Sequence, residues 1–198
     1  MRAFVAIEIA ENVADKLTNM QRGLRESVGI RAVRWVRADA MHITLKFLGD
    51  ISAEQATRLT QEFVCVAESA EPFTLAASGI GCFPHCRHPR LLWAGFEDDI
   101  AALERLQRAI ECCAMQLGHA PDRHRFSAHL TIGRVRSRLR HVEVDALCEA
   151  VLAAKGQRFG EWRVAEMVLM QSTLGSDGAQ YTRWARIPFQ HEPHITIG

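Results

Sequence analysis

The sequence contains little of several features that define other classes of protein. Its 198 residues include only six cysteines, which is too few for a disulfide scaffold. The apolar runs have the length of strands, and none approaches the roughly 20 residues needed to cross a bilayer. The start of the chain, Met1 to Glu8, reaches a charged residue too early for a signal peptide. We therefore expect a cytoplasmic protein with reduced thiols and no membrane segment.

An excess of charge of one sign is also absent. The chain has 24 Lys and Arg against 23 Asp and Glu, a formal net charge of +1. This balance excludes a globally basic nucleic-acid-binding protein, although it allows a local basic patch. The 48% hydrophobic content is ordinary for a globular protein. No stretch resembles an interdomain linker, so we predict that residues 1–198 form a single two-lobed unit that acts as a monomer.

Hydrophobic periodicity predicts strands that alternate with helices. The predicted strands span 2–9, 32–36, 42–49, 73–80, 91–96, 129–135, 162–170 and 180–187, with a turn at 175–178 and a short helix at 145–154. Three longer helices are predicted from Asn12, from Ser52, and after Asp98 or Asp99. A capping box is expected at the start of the second, and Gly118 is expected to end the third. Several strands adjoin along the chain, which favours an α+β fold with largely antiparallel sheets.

A repeated His-x-Thr pattern is the most informative feature of the chain. His42-Ile43-Thr44-Leu45 and His129-Leu130-Thr131-Ile132 match, and His194-Ile195-Thr196 is a third occurrence. Chance predicts about 0.4 occurrences for this content of His and Thr. The third occurrence follows a proline near the last residue of the sequence, where chains are commonly frayed, so we expect no catalytic role for it.

Strand geometry gives the first two matches a chemical meaning. Residues i and i+2 of a strand project from the same face, so each motif presents an imidazole beside a hydroxyl. Two such units facing each other would supply a general acid and a general base across one site. In-line cleavage of a phosphodiester needs that arrangement, and Thr44 and Thr131 would hold the non-bridging phosphate oxygens.

These motifs, with others in the same order, resemble the 2H phosphoesterase superfamily and its RNA 2′,3′-cyclic phosphodiesterase (2′-5′ RNA ligase) family. The resembling segments span nearly the whole chain: 4–7, 34–36, 41–49, 89–95, 129–134 and 172–181. A proline that commonly precedes the second motif of the family is absent, because Phe126-Ser127-Ala128 stands there.

The resemblance implies two pseudo-symmetric lobes, each a largely antiparallel sheet with helices packed outside, and an active-site cleft between them. It implies metal-independent hydrolysis of RNA 2′,3′-cyclic phosphates to 2′-phosphomonoesters, without a cofactor. In that pattern His42 is the proton donor and His129 the proton acceptor. The substrates it implies are RNA ends, tRNA fragments among them, or cyclic nucleotides. Reversible 2′-5′ ligation would use the same groups, and a non-catalytic module that binds RNA ends is the alternative.

Four further residues are candidates for phosphate or RNA contact. Arg134 suits a phosphate ligand, but strict alternation places it opposite His129 unless Gly133 forms a bulge. Lys46 is in phase with His42, which allows a position at the rim of the cleft, and the alternative is an exposed lysine at the end of the strand. Arg125 belongs to a concentration of six arginines in 121–141 that would attract the RNA backbone. Phe126 is placed to stack a base or to pack in the core.

The segment Cys82 to His88 contains two cysteines and two histidines. Structural zinc sites usually draw their ligands from two separated pairs, and no second pair of comparable spacing occurs. The sequence therefore predicts no metal site.

Overall fold

The computed structural model describes residues 1–28, 33–97, 99–136, 138–175 and 178–189. Its strands are β1 (Arg2–Glu8), β2 (Val33–Trp35), β3 (His42–Asp50), β4 (Phe73–Phe83), β5 (Leu91–Phe96), β6 (Leu130–Val135), β7 (Arg158–Val164), β8 (Glu166–Gly175) and β9 (Gly178–Pro188). Its helices are α1 (Glu11–Val28), α2 (Ala53–Glu68), α3 (Ala101–Gln116) and α4 (His141–Ala153), with a 3₁₀ turn at Ala38–Ala40. The predicted tail motif at 194–196 lies outside the described residues.

The strands form two antiparallel sheets, which confirms the predicted α+β fold. One sheet has the order β3-β1-β8-β9 and the other β2-β6-β5-β4-β7. Helices α2 and α3 pack on the first sheet, and α1 and α4 on the second. Helix α1 follows a strand of the first sheet but packs on the second, and α3 follows a strand of the second sheet but packs on the first. The chain therefore crosses between the two sheets at both helices. A shared core of buried apolar residues joins them.

Helix boundaries follow the local signals where these are strong. The hydroxyl of Ser52 accepts from the backbone N–H of Gln55 at 3.1 Å, and the Gln55 side chain accepts from the Ser52 N–H at 2.8 Å. This confirms the capping box. Gly118 follows α3 with φ +88°, which confirms the predicted stop. Helix α4 begins four residues earlier than predicted, where the Glu143 carboxylate accepts from the Arg140 N–H at 2.8 Å.

The predicted strand 162–170 is wrong, because the chain changes sheets inside it. Residues up to Val164 belong to β7 and pair with β4, whereas residues from Glu166 belong to β8 and pair with β1 and β9. Ala165 separates the two strands. Both halves carry buried apolar residues, so hydrophobicity alone shows no boundary there. Among the described residues, no helix has the length and apolar character to span a membrane.

Candidate active site

His42 begins β3 at the edge of the four-stranded sheet, paired with Glu8 of β1. Its Nδ1 atom lies 2.9 Å from the carbonyl oxygen of Ala40. A carbonyl only accepts, so Nδ1 carries the proton and Nε2 is the ring nitrogen left for substrate. The ring is flanked by Phe4, at 4.8 Å between centroids, and edge-on by Tyr181, at 5.0 Å. These contacts hold the imidazole in one orientation.

His129 directly precedes β6 in the five-stranded sheet and repeats this arrangement. Its Nδ1 atom lies 2.8 Å from the carbonyl oxygen of Ser127, again two residues upstream. The ring meets Phe83 edge-on, with centroids 5.2 Å apart. Both imidazoles therefore have the same tautomer imposed by a backbone carbonyl, which leaves Nε2 for substrate.

The two histidines share one electrostatic environment. Burial lowers the pKa of His42 to about 4, opposed by the hydrogen bond to Ala40 and by the charge of Glu8. The positive charge of Arg134 adds to the lowering. The two motifs are 87 positions apart in sequence, but the strands to which they belong, β3 and β6, approach within 8 Å between Cα atoms.

The two threonines follow their histidines by one strand period. Thr44 lies on β3 and Thr131 on β6, and both side chains are half-buried. Alternation along each strand places the hydroxyl on the face of the preceding imidazole. Trp93 is the partner of Thr131 on β5, and its indole occupies the space beside Gly81, where a Cβ would come within 2.2 Å of the ring.

A bulge in β6 lies at Ile132, one residue before the position expected from the sequence, and it determines the face on which Arg134 lies. Leu92 pairs with Gly133 but Trp93 pairs with Thr131, so β6 contains one extra residue between them. This extra residue returns Arg134 to the face of Thr131. A Cβ on Gly133 would lie 2.8 Å from Cγ1 of Val33, so a residue without a side chain is needed there. Side chains of β6 therefore do not alternate strictly between Thr131 and Arg134.

The expected position of Lys46 at the cleft rim is wrong. Val5 pairs with Lys46 but Ala6 pairs with Thr44, so β3 bulges at Leu45 and the following side chain turns inward. Lys46 is 1% exposed. Its Nζ atom donates to Glu111 Oε1 at 2.9 Å, to Ala120 O at 2.9 Å and to Asp122 Oδ1 at 3.0 Å. Lys46 is thus a structural cation without surface for RNA.

Arg125 and Phe126 lie in the segment between α3 and β6. Arg125 is exposed, whereas Phe126 is half-buried and packs against the main core. RNA contact stays a prediction for both residues, with Arg125 in the more accessible position.

Sequence reasoning missed the residues that surround His42. Tyr181 of β9 and Phe4 of β1 touch its ring and each other, with 5.2 Å between their centroids. Glu8 accepts from Arg183 Nε at 2.9 and 3.0 Å. One available signal was that Tyr181 is the chain's single tyrosine. Their convergence depends on strand pairing between distant segments, which periodicity does not reveal.

The segment rich in cysteine and histidine shows paired side chains. The Sγ atoms of Cys82 and Cys86 lie 2.8 Å apart, and the rings of His85 and His88 meet edge-on at 5.2 Å. Within the described part of the chain, no three His, Cys, Asp or Glu side chains are grouped so that they could hold a metal ion.

The chain is similar in sequence to known phosphoesterases. Residues 7–93 match a family profile described as LigT like Phosphoesterase. Two archaeal relatives are named RNA 2′,3′-cyclic phosphodiesterase. That of Archaeoglobus fulgidus is 32% identical over 181 residues, covering 91% of this chain and 96% of the relative. That of Methanothermobacter thermautotrophicus is 30% identical over 182 residues, covering 92% and 95%.

Solved structures share the fold. A protein of Thermus thermophilus aligns with a TM-score of 0.75 at 24% identity, covering 96% of this chain and all of that one. E. coli LigT complexed with 3′-AMP aligns with a TM-score of 0.73 at 23% identity, covering 96% of this chain and 98% of that one. The same two-sheet architecture therefore recurs in proteins of low sequence identity.

Proposed function

This chain belongs to the LigT-like phosphoesterase family, and from that membership we propose that it hydrolyses the 2′,3′-cyclic phosphate ends of RNA to 2′-phosphomonoesters. The names of the two archaeal relatives support the substrate class. The observation that carries the mechanism is the pair of imidazoles, each locked by a backbone carbonyl so that Nε2 is free. We further propose that residues 1–198 work as one two-lobed monomer in the cytoplasm.

In the proposed reaction each histidine moves one proton. Water attacks phosphorus while Nε2 of His129 accepts its proton. The bond from phosphorus to the 3′ oxygen breaks while Nε2–H of His42 protonates that oxygen. The products are a 2′-phosphomonoester and a 3′-hydroxyl, with neutral His42 and protonated His129, and exchange with solvent restores both. The choice of the 2′ product rests on the family resemblance.

Three neutral or cationic groups would stabilise the phosphate during this exchange. The hydroxyls of Thr44 and Thr131 lie beside their histidines, where they would donate to the non-bridging oxygens. The guanidinium of Arg134 would offset the charge that develops on those oxygens. With a 5′-hydroxyl of RNA in place of water, the same groups would join the ends by a 2′-5′ bond.

The donor role requires a change at His42 when substrate binds. At a pKa of about 4 the free ring is almost wholly neutral at neutral pH, and a neutral Nδ1–H tautomer has no proton on Nε2. A phosphate anion placed against the ring favours the charged form, by about 1 to 3 pH units for a close opposite charge. Binding of the phosphate anion would therefore favour protonation of His42 at Nε2, which the proton-donor role requires.

We expect inorganic phosphate or a 2′-nucleotide to raise the pKa of His42 by at least about one pH unit, because the anion stabilises the imidazolium. NMR titration of ¹⁵N-labelled histidines, with the His42→Gln variant for assignment, measures this directly. A pKa that stays near 4 in the complex would contradict the donor role of His42.

Product analysis in the presence of EDTA tests the proposed function. A short RNA with a 2′,3′-cyclic phosphate is incubated with the wild-type protein, and the product is identified by mass spectrometry and by its resistance to 3′-specific phosphatase. We expect a 2′-phosphomonoester whose yield grows with time and is unchanged by the chelator. Activity that EDTA abolishes and zinc restores would overturn the metal-independent mechanism. Salt-sensitive binding without any product would establish the non-catalytic alternative instead.

A further inference from the structure

A basic cavity lies at the end of β6, the strand that carries Thr131. It has a volume of about 1150 Å³ and lies between residues 87–90, the end of β6 and one face of α4 along most of its length. Five arginines line it: Arg87, Arg90, Arg136, Arg138 and Arg140. Two carboxylates, Asp145 and Glu149, line its α4 side. The formal charge of these seven groups is strongly positive, so the cavity suits an anion.

Most of these guanidinium groups form no ion pair with a carboxylate of the described residues. Arg140 pairs with Glu143 at 3.0 Å. By contrast, no ion pair joins Arg87, Arg90, Arg136 or Arg138 to any carboxylate in the part of the chain that the structure describes. All four are exposed. They are therefore available as forked donors to phosphate oxygens.

Backbone hydrogen bonds connect the cavity to the active site. Val135, which ends β6, lines the cavity and donates to the Arg90 carbonyl at 3.0 Å. The Arg90 N–H donates to the Phe83 carbonyl at 2.8 Å, and the Phe83 ring touches His129. Thr131 lies four residues before Val135 on the same strand, about 13 Å away. An RNA chain of a few nucleotides spans that distance.

We propose that this cavity binds the phosphodiester backbone of the RNA, a few nucleotides from the cyclic end held between the histidines. The inference rests on the proposed function and adds a second anchoring region for the substrate. The volume exceeds that of a typical small-ligand pocket, roughly 300–1,000 Å³, so it accommodates a segment of strand. Its apolar surface, which includes Val135 and Leu139, would pack against riboses or bases.

The test compares two substrates with one double variant, Arg136→Gln with Arg138→Gln. The substrates are a mononucleotide 2′,3′-cyclic phosphate and an eight-nucleotide RNA that ends in the same group. For the RNA we expect kcat/KM to fall roughly ten-fold through KM, because two phosphate contacts are lost. The slope of log(kcat/KM) against log[salt] should become shallower by about 1.4, since each single-strand contact contributes about 0.7. Kinetics on the mononucleotide, which does not reach the cavity, should match the wild type.

A control variant that loses the same number of positive charges outside the cavity distinguishes binding in the cavity from a general effect of net charge. Arg58→Gln with Arg105→Gln removes two exposed charges from α2 and α3, and it should leave both substrates unaffected. Equal losses in the two double variants, or equal losses on the two substrates, would overturn the proposal. Equal kcat/KM and equal salt slopes for the two substrates with wild-type protein would also overturn it.

The two proposals fail in different ways. If the wild-type protein hydrolyses neither substrate, the proposed function is wrong. Fluorescence anisotropy with an RNA ending in a 2′-phosphate then tests the cavity alone. Binding weakened by the Arg136 and Arg138 substitutions and kept in the control would support the cavity, and equal binding by all three proteins would reject it.

Discussion

Replacing either His42 or His129 by Ala is expected to lower kcat/KM for a cyclic-phosphate RNA by roughly 10²–10⁴, the range for loss of a general acid or base. Each ring holds its tautomer through a carbonyl two residues upstream, so Ala removes the Nε2 function together with the ring's aromatic contacts. The measurement is the initial rate at saturating and at low substrate. The loss should fall mainly on kcat, because the proton transfers occur in the transition state.

His124→Ala is the matched control for this pair. His124 is exposed in the same segment, five residues before His129. It should retain wild-type kinetics, and all three variants should keep the circular dichroism of the folded protein. Wild-type kcat in either active-site variant would remove that histidine from the mechanism.

Replacing Lys46 by Ala is expected to lower the free energy of unfolding by about 3 kcal/mol, the lower part of the range for breaking a buried ion pair. Burial alone would lower the pKa of Lys46, but the hydrogen bonds and charges of Glu111 and Asp122 outweigh it and raise the pKa. The side chain is fully buried while Asp122 is 41% exposed, so the latter rehydrates when the partner is lost. Urea unfolding measures the difference.

A conservative series separates packing from charge at this position. Lys46→Met keeps most of the side-chain volume, and adding Glu111→Gln removes the carboxylate left without its cation. We expect Lys46→Met to be less destabilised than Lys46→Ala, and the double variant to recover part of the loss. A free energy of unfolding of Lys46→Ala within about 0.5 kcal/mol of the wild type would show that the buried pair does not stabilise the fold.

This lysine also links the two halves of the site. It lies two residues after Thr44 on β3, and it binds Ala120 and Asp122 in the segment that leads to His129. Glu111 of α3 accepts from the backbone N–H of Asp122 at 2.8 Å, which anchors the same segment. The buried cation therefore helps to position the second histidine relative to the first.

Local signals predicted much of this fold because they act within a few residues. Ser52 with Gln55 marks the start of α2, and Gly118 marks the end of α3. The two His-x-Thr motifs predicted a pair of matching strands, because side chains two residues apart on a strand lie on the same face and three residues are enough to show that pattern. Their chemistry was readable from the residue types alone.

The features that the sequence did not reveal depend on hydrogen bonding between strands that are distant in the chain. The bulge at Leu45 turns Lys46 from the cleft into the core, and the extra residue in β6 turns Arg134 toward the cleft. Ala165 carries the chain from one sheet to the other within a continuous apolar pattern. Each of these depends on the partner strand, so strict alternation fails there.

Both imidazoles are proposed to act on one phosphate, and the His42→Ala, His129→Ala double variant tests this most directly. Groups that work in a single transition state lose their effects together, so the two losses are not additive. We predict that kcat/KM of the double variant falls about as far as that of the more impaired single variant. A decrease equal to the product of the two single losses would mean that the histidines act independently, and it would contradict a shared phosphate.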